Sequence, residues 1–494
     1  MASEHSKVAD PPPQRLTSGS LGTTHLAIAS ASYMAPAMSL FFTTALVAGY
    51  VGLNVPFVYI IASIGVLATA NTIAQFSRKV PSAGSLQTFI AKGLGARMSA
   101  TWGLVLVIGY ICLQAGVITI FGSWTQDLLQ TYAHVNVPWQ FISIAGTAVF
   151  GYLMVRGIKV SAEATVALFV FEFIVLLVLG VVILARGGDH GINLAPFAPD
   201  MGKIGSSFFA ITYVGYAFIG FEGAASFAEE AKSPHRAIGV ATYGGVIIVG
   251  LLFIFSTWTT VLGFPSASAL AGDAAPYSTV AVKFMGWAHV FVDVAGFTSI
   301  AANIMAAANA NVRILFNLGR EGVAPRYLGR VSSRHGTPQF AIWTFVGLCL
   351  AISLVLSLWW SALDVYAIIS GFGSILALMV YLVCNASLIR FFARLRELSW
   401  WRHVTIPLIG IAVWLLPLWG SLKPGQSFPY NRFPVLVAVV VVVSAAYSVS
   451  LLRRRPALAG HIGSLITEAT PESHHGPGPA PSRVISAAEV SDLE

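Results

Sequence analysis

The sequence predicts an all-α protein embedded in a membrane, and three observations carry that reading. Only 10% of the 494 residues are charged, 56% are hydrophobic and the mean hydropathy is +0.77, whereas roughly a quarter of residues in a soluble domain are charged. Apolar stretches run from His25 to Leu452 with no polar linker between them, so one membrane domain fits better than the several soluble domains that length alone would suggest. The stretches are also each long enough for a helix to cross a bilayer about 30 Å thick, and they lack the short alternating pattern of barrel strands.

Twelve spans are expected, at residues 25–50, 53–76, 99–127, 137–155, 163–185, 205–228, 237–263, 288–317, 339–358, 363–389, 404–421 and 433–452. Sorting the basic residues by the loops they occupy supports that number. With the N-terminus inside, 22 of the 28 Lys and Arg fall on the inner side and five fall on the outer side, namely Arg186, Lys203, Lys283, Lys423 and Arg432. Arg313 remains within span 8, near enough to the inner surface to snorkel. This asymmetry predicts that both termini are cytoplasmic and that the span count is even. The net charge of +8 is then a matter of topology, and nucleic-acid binding is not needed to explain it.

Residues 1–24 read as a cytoplasmic tail and not as a cleaved signal, because Pro11, Pro12 and Pro13 stand where an apolar run would be required. Residues 453–494, rich in Pro, Ser, Gly and His, read as a disordered cytoplasmic tail in which His474 and His475 are solvated and bind no metal. Cys112, Cys349 and Cys384 lie inside apolar segments and read as packing residues, with neither disulfide nor metal-ligand spacing. No cofactor is expected. Arginine exceeds lysine 20 to 8 amid abundant Ala, Gly and Val. That bias points to a GC-rich bacterial genome and so to the plasma membrane.

Function is expected where the spans break, because interrupted backbone at membrane depth is tolerated only when protein or a water-filled cavity surrounds it. In span 1, SASYMAPAMSL places Pro36 about eleven residues in, removing an amide donor and disfavouring helical geometry at Ala35. In span 6, YAFIGFEGAASFAEE places Gly220 and Gly223 on either side of Glu222 at a similar depth. Spans 1–5 (residues 25–185) and 6–10 (residues 205–389) form two five-helix blocks. Five is odd, so the blocks are inverted with respect to each other, and spans 11 and 12 (residues 404–452) are peripheral. Matched broken helices in inverted repeats point to a transporter binding site near the midplane. Half-helix N-termini suit an anionic group and unwound carbonyls a cation, a pairing that fits an amino acid. The structural alternative is a pair of ordinary Pro and Gly kinks.

Three ordered motifs name a family. RKVPSAGSLQTFIAKGLG after span 2, YAFIGFEGAASFAEEAKSPHRAI around span 6 and NVRILFNLGREGVAPRYLGRVSSRHGTP after span 8 resemble the amino acid, polyamine and organocation permeases, with Ala-Pro in span 1 as in a bacterial subgroup. The resemblance implies a leucine-transporter-type 5+5 inverted repeat with two added helices, and a substrate held between spans 1, 3, 6, 8 and 10. By position it implies substrate contacts at Ala35, Pro36, Ala37, Met38 and Ser39 in span 1, where the family's glycine-serine-glycine element falls on Pro36, Ala37 and Met38. In span 6 it implies ammonium contacts on the carbonyls of Ala217, Phe218 and Gly220 and an aromatic lid at Tyr216. Tyr110 is the candidate for the opposing aromatic. Asn303, Asn309 and Asn311 are expected to bond neighbouring helices.

A carboxylate at the bilayer centre costs about 2.5 to 3.5 kcal/mol on insertion scales, which makes each one a functional candidate. Glu172 lies about 13 Å along span 5 from its inner end, at about 1.5 Å per residue, and Glu222 sits at the span 6 break. Both are candidates to bind and release a proton during transport, the alternative for Glu172 being an acid held within the bundle. In some proton-coupled members of the resembled family the position matching Glu172 is a lysine, so the sign of the charge is reversed here. Asp293 and Asp364, near outer span ends, are expected to reach water.

The expected function is secondary active transport of an amino acid or related amine by alternating access, with protons or substrate exchange as the driving partner and the lipid bilayer as surroundings. The alternatives are a membrane amino-acid sensor and a polyamine or organic amine permease. A major-facilitator transporter would show a long central loop and a GxxxDxxGRR-like signature after span 2, and neither is present. A membrane enzyme would need a nucleophile, a metal motif or a spaced acid pair, and HExxH, DDxxD and GxGxxG are all absent.

Overall fold

The computed structural model describes residues 23–80, 85–157, 162–189, 191–200, 202, 204–223, 234–460 and 462. Most of both tails, with His474 and His475, lies outside the described residues. So do Glu229 and Glu230 in the segment following the span 6 break. Regular structure among the described residues is entirely helical, and ten helices are long and apolar enough to cross a membrane. The two other expected spans appear as shorter helices. One has 17 residues; the other has 15 and runs into the span 6 break.

In chain order, span 1 is two helices, α1 (Thr23–Tyr33) and α2 (Pro36–Val51), and span 2 is α3 (Val55–Lys79). The connecting helix α4 (Ser85–Leu94) leads to α5 (Ala96–Leu128), which adds a π turn to Ala133. Then follow α6 (Trp139–Val155), α7 (Ala162–Ala185) and α8 (Ile204–Phe218). The second block, which opens with α8, goes on through α9 (Pro234–Leu262), the short connecting helices α10 (Ala267–Ala271) and α11 (Pro276–Met285), and α12 (His289–Arg320). It continues with α13 (Gln339–Leu356) and α14 (Ala362–Arg394), and α15 (Ile406–Leu422) and α16 (Phe433–Arg454) complete the chain.

Burial separates the centre of the bundle from its rim. The span 1 pair, α5 and α14 are each 83% buried over their most apolar windows, against 22% for α16, so the last helix faces outwards, as a peripheral element should. The amphipathic loop after span 2 folds as α4, which wedges against α5 and α14 with Leu86, Phe89 and Ile90 inward. All three cysteines are buried and unpaired.

The α5–α14 contact depends on small residues. Between apolar helices in lipid, association comes from van der Waals packing at close approach and not from a difference in hydrophobicity. Here Gly109 meets Gly373, and a Cβ added at Gly373 would stand 2.7 Å from the Gly109 carbonyl oxygen and 2.9 Å from Cys112 Cβ. Below, Gly116 faces Ser370 and Tyr366. Backbone cannot yield as a flexible side-chain tip can. Gly373→Leu is therefore expected to cost about 1 to 3 kcal/mol of stability by overpacking, read as a lower thermal unfolding midpoint in detergent. Gly347, with open space where its Cβ would go, is the control position at which alanine leaves the midpoint unchanged.

Candidate functional site at the two helix breaks

The first break follows from Pro36. As the first residue of α2 it donates no amide, and Ala35 before it takes left-handed angles, φ 43° and ψ 70°, a conformation that costs a non-glycine residue roughly 1 to 2 kcal/mol. Met34 and Ala35 still donate backward to the Ala31 and Ser32 carbonyls at 3.2 and 3.0 Å, and Ser39 donates to Ala35 at 2.9 Å. The two amides left over at the start of α2 find side chains from distant helices. Ala37 donates to Glu172 Oε2 on α7 at 3.2 Å, and Met38 donates to Ser299 Oγ on α12 at 3.2 Å. The Ser299 hydroxyl also lies within hydrogen-bonding reach of the Glu172 carboxyl. Every amide from Met34 to Ser39 thus has a protein partner.

The second break follows from glycine. Gly220 has φ 114° and lies against span 1 so closely that an added Cβ would stand 2.8 Å from the Tyr33 carbonyl oxygen; Gly223 meets the Tyr33 ring in the same way, at 2.7 Å. Both glycines are needed for two broken helices to cross at their breaks. The crossing is stitched by Ser30 Oγ donating to the Phe221 carbonyl at 2.7 Å, and by Ser39 Oγ, which donates to the Met34 carbonyl at 2.7 Å and lies 3.3 Å from that of Ala217. Asn303 Nδ2 on α12 donates to the Tyr33 carbonyl at 3.2 Å.

Glu222 turns back on its own break. Gly220 N donates to its Oε2 at 3.1 Å, the Tyr110 hydroxyl on α5 donates to its Oε1, and its own amide contributes. Glu222 and Glu172, 8% and 5% exposed, therefore each accept from the backbone of a broken helix. Both are acceptors for orphaned N–H groups, a role each plays at a helix interruption that the sequence places beside only one of them.

A cavity enclosing about 930 Å³, open solvent at its mouth included, opens at the crossing. Met38, Ser39, Tyr110, Tyr216, Gly220 and Glu222 line it. Ala35, Pro36, Ala37, Ala217, Phe218 and Glu172 stand behind that lining. Phe218 is fully buried against Phe253 and Tyr59, and Glu172 meets the first turn of α2 at Ala37 N. Sequence reasoning did not single out Tyr33, Met34 or Gln114, which also line the cavity, and Gln114 Nε2 has no partner among the described residues. Ser299 was missed as well, since a serine in an apolar helix carries no local signal of what it will cap.

The cavity is closed at one end and open at the other. Towards Tyr216 it is plugged by buried rings: Tyr216 packs on Tyr366 at 5.9 Å, Tyr366 on Phe42 at 5.8 Å, Phe42 on Trp124 at 5.7 Å, and Phe41 stacks on Tyr277 at 5.0 Å. In the other direction the lining follows α12 to Asn311, Arg313 and Ile314, each partly exposed, beside Gln87 of α4. Arg313 was expected to snorkel at a surface, and it borders this open end, with no hydrogen bond or ion pair among the described residues. Asn303 bonds a neighbouring helix as expected. Asn309 instead donates to Met305 in its own helix at 2.7 Å, and Asn311 faces the cavity.

One expectation about the ionisable groups is corrected. Asp293 does not reach water: it is 4% exposed and accepts from Tyr132 Oη and Ser278 Oγ at 2.7 Å each, with His289 Nε2 3.9 Å away. The segments after α5 and before α12 fold over it, which no hydropathy pattern reveals. Asp364 is exposed and takes part in the N-terminal cap of α14 with Ser361.

The chain matches the family model of amino acid permeases over residues 19–445. It is 26% identical over 314 residues to the branched-chain amino acid permease of Bacillus subtilis, covering 60% of this chain and 65% of that protein. It is 28% identical over 322 residues to the low-affinity putrescine importer of Escherichia coli K12, covering 63% and 69%, and 26% identical over 360 residues to that organism's cadaverine/lysine antiporter, covering 67% and 75%. Two helices broken where they cross, a cavity at the crossing and a match through nearly all the spans agree with one another: the chain belongs to the amino acid permease family.

Proposed function

We propose that the protein is a secondary active transporter of an amino acid or related amine, working by alternating access in the plasma membrane with both termini in the cytoplasm. The observation that carries this reading is the crossing of two broken helices around a cavity that is open at one end and sealed at the other. A site reached from one side at a time is what transport requires and what a receptor or an enzyme does not need. The Arg-rich loops lie at the open end, so with the orientation read from charge asymmetry this is the inward-facing state. Named relatives that carry branched-chain amino acids, putrescine, and cadaverine or lysine support the substrate class.

For the driving partner we propose protons, carried by Glu172 and Glu222. Each is a carboxyl buried at a break, and each holds backbone amides that its protonation would release in part, which ties a proton to the conformation of a broken helix. Tyr110 donates to Glu222 and lines the cavity beside it, which connects that acid to substrate. A lysine-based mechanism does not transfer, since the charge at the span 5 position is of opposite sign.

Purified protein in sealed vesicles is expected to accumulate a labelled amino acid or amine from a broad panel, faster with an inward pH gradient or with internal substrate. Absence of both uptake and exchange across the panel rejects the reading. Glu172→Gln and Glu222→Gln are each expected to shift or flatten the pH dependence of uptake while the protein remains folded by size-exclusion chromatography. If both variants keep the wild-type profile, neither acid carries the proton.

The crossing itself gives a further prediction. Gly220→Ala places a methyl 2.8 Å from the Tyr33 carbonyl oxygen at a positive φ, so uptake is expected to fall at least tenfold. Gly49→Ala, where nothing lies within 4 Å of the new carbon, leaves uptake unchanged.

A further inference from the structure

We infer that the transported molecule is an organic amine without a carboxylate beside it, because Glu172 already occupies the place at the start of α2 that a substrate carboxylate would take. The inference rests on the transport reading above and narrows its substrate class.

A helix N-terminus broken at membrane depth is the natural seat for an anion. Its first amides are unbonded and its dipole is positive. In this chain that seat is filled from within. Pro36 has no amide to offer, Ala37 N donates to Glu172, Met38 N donates to Ser299, and Ser39 N bonds Ala35 O. A carboxylate arriving in the cavity finds no free donor at the start of α2, and the side chain already bonded to Ala37 N there is itself a carboxyl.

The second break repeats the pattern. Ile219, Gly220, Phe221 and Gly223 donate to Tyr216 O, Glu222 Oε2, Phe218 O and Gly220 O at 2.9, 3.1, 3.2 and 2.8 Å. Glu222 lines the cavity and presents acceptor oxygens beside the Tyr110 hydroxyl. What faces the cavity at the crossing is therefore the Glu222 carboxyl beside the Tyr110 hydroxyl as the charged acceptor, the neutral amides of Asn303 and of Gln114, whose Nε2 has no partner among the described residues, and the apolar faces of Met34, Met38 and Leu113.

Among the described residues, Arg313 is the cation of the cavity lining. It lies ten residues beyond Asn303 on α12, about 15 Å along the axis at 1.5 Å per residue, at the open mouth and not at the crossing. An α-ammonium held by Glu222 would keep its own carboxylate within a few bonds, among the acceptors and away from Arg313. Such a substrate brings like charges together, and the penalty for an unpaired buried carboxylate is severe.

The test uses the full chain in detergent and in sealed vesicles, with matched pairs that differ only by the carboxylate: agmatine with arginine, cadaverine with lysine, and isobutylamine with valine. At least one amine is expected to raise the thermal midpoint and to bind at least tenfold tighter than its amino acid, and to be the member taken up. A preference below tenfold, or a preference for any amino acid of the set, overturns the inference; uptake of that amino acid leaves the transport reading standing. Silence from every member of the pairs in both binding and uptake overturns the inference, and the transport reading is then judged by the broad panel.

Glu172→Ala supplies an independent readout, because it uncaps Ala37 N and removes the competing charge. The ratio of amino-acid affinity to amine affinity in the preferred pair is expected to rise at least tenfold; an unchanged ratio in folded Glu172→Ala protein overturns the inference. If that variant does not fold, the wild-type pair comparison decides.

Discussion

Much of this structure follows from one constraint: backbone exposed by a broken helix inside a membrane has to be satisfied by protein, because no water is guaranteed there. Pro36 and Gly220 create the breaks, and each break leaves amides and carbonyls without intrahelical partners. The groups that answer them come from all around the chain. Glu172 and Ser299 take the amides of α2, Ser39, Ser30 and Asn303 take carbonyls, and Glu222 takes the amide of Gly220. The helices α5, α7 and α12 are thus fixed around the crossing by hydrogen bonds that exist only because the crossing is broken.

That constraint makes the two buried acids intelligible together. A carboxylate in lipid is costly, yet one that caps an otherwise orphaned helix terminus offsets part of its own burial and that of the amides it receives. The same arrangement makes the acids responsive. Protonation converts a pure acceptor into a group that also donates, so the grip on Ala37 or Gly220 changes with the proton. A bond to backbone at a hinge is mechanically different from a bond to a side chain on a rigid helix: loosening it changes how the half-helix is held.

What the sequence disclosed and what it withheld divide along the range of the interactions. Pro36 and the pair Gly220 and Gly223 were legible because their effect is local: a missing amide and a missing side chain disrupt the helix in which they stand. The span count was legible because hydropathy is a property of contiguous residues, whereas the segment that folds as α4 stood out only through its likeness to a family motif. Glu172 and Glu222 stood out as charges in apolar runs, but Glu172 meets Ala37 across 135 residues and Tyr110 meets Glu222 across 112, and no spacing in one sequence encodes such pairs. Asp293 shows the opposite error. Its position near a span end suggested water, and the folding of Tyr132 and Ser278 over it is a tertiary event.

The plug and the crossing are built from different chemistry, and the difference bears on how the proposed alternating access would run. The sealed end is closed by ring packing of Phe41, Phe42, Trp124, Tyr277 and Tyr366, with the Tyr277 and Tyr366 hydroxyls buried without partners among the described residues, so that parting these rings gives up packing more than hydrogen bonds. The crossing is closed by directional bonds to backbone, which hold one geometry or another but no continuum between. A rocking motion that opens the ring stack while keeping the capped half-helices intact exposes ring faces and the Tyr277 and Tyr366 hydroxyls, and leaves the backbone bonds at the crossing in place. One that unpaired Ala37 or Gly220 would leave buried amides without partners. The path of least cost therefore carries α2 and α7 together as a capped unit and moves the aromatic end of the bundle against it.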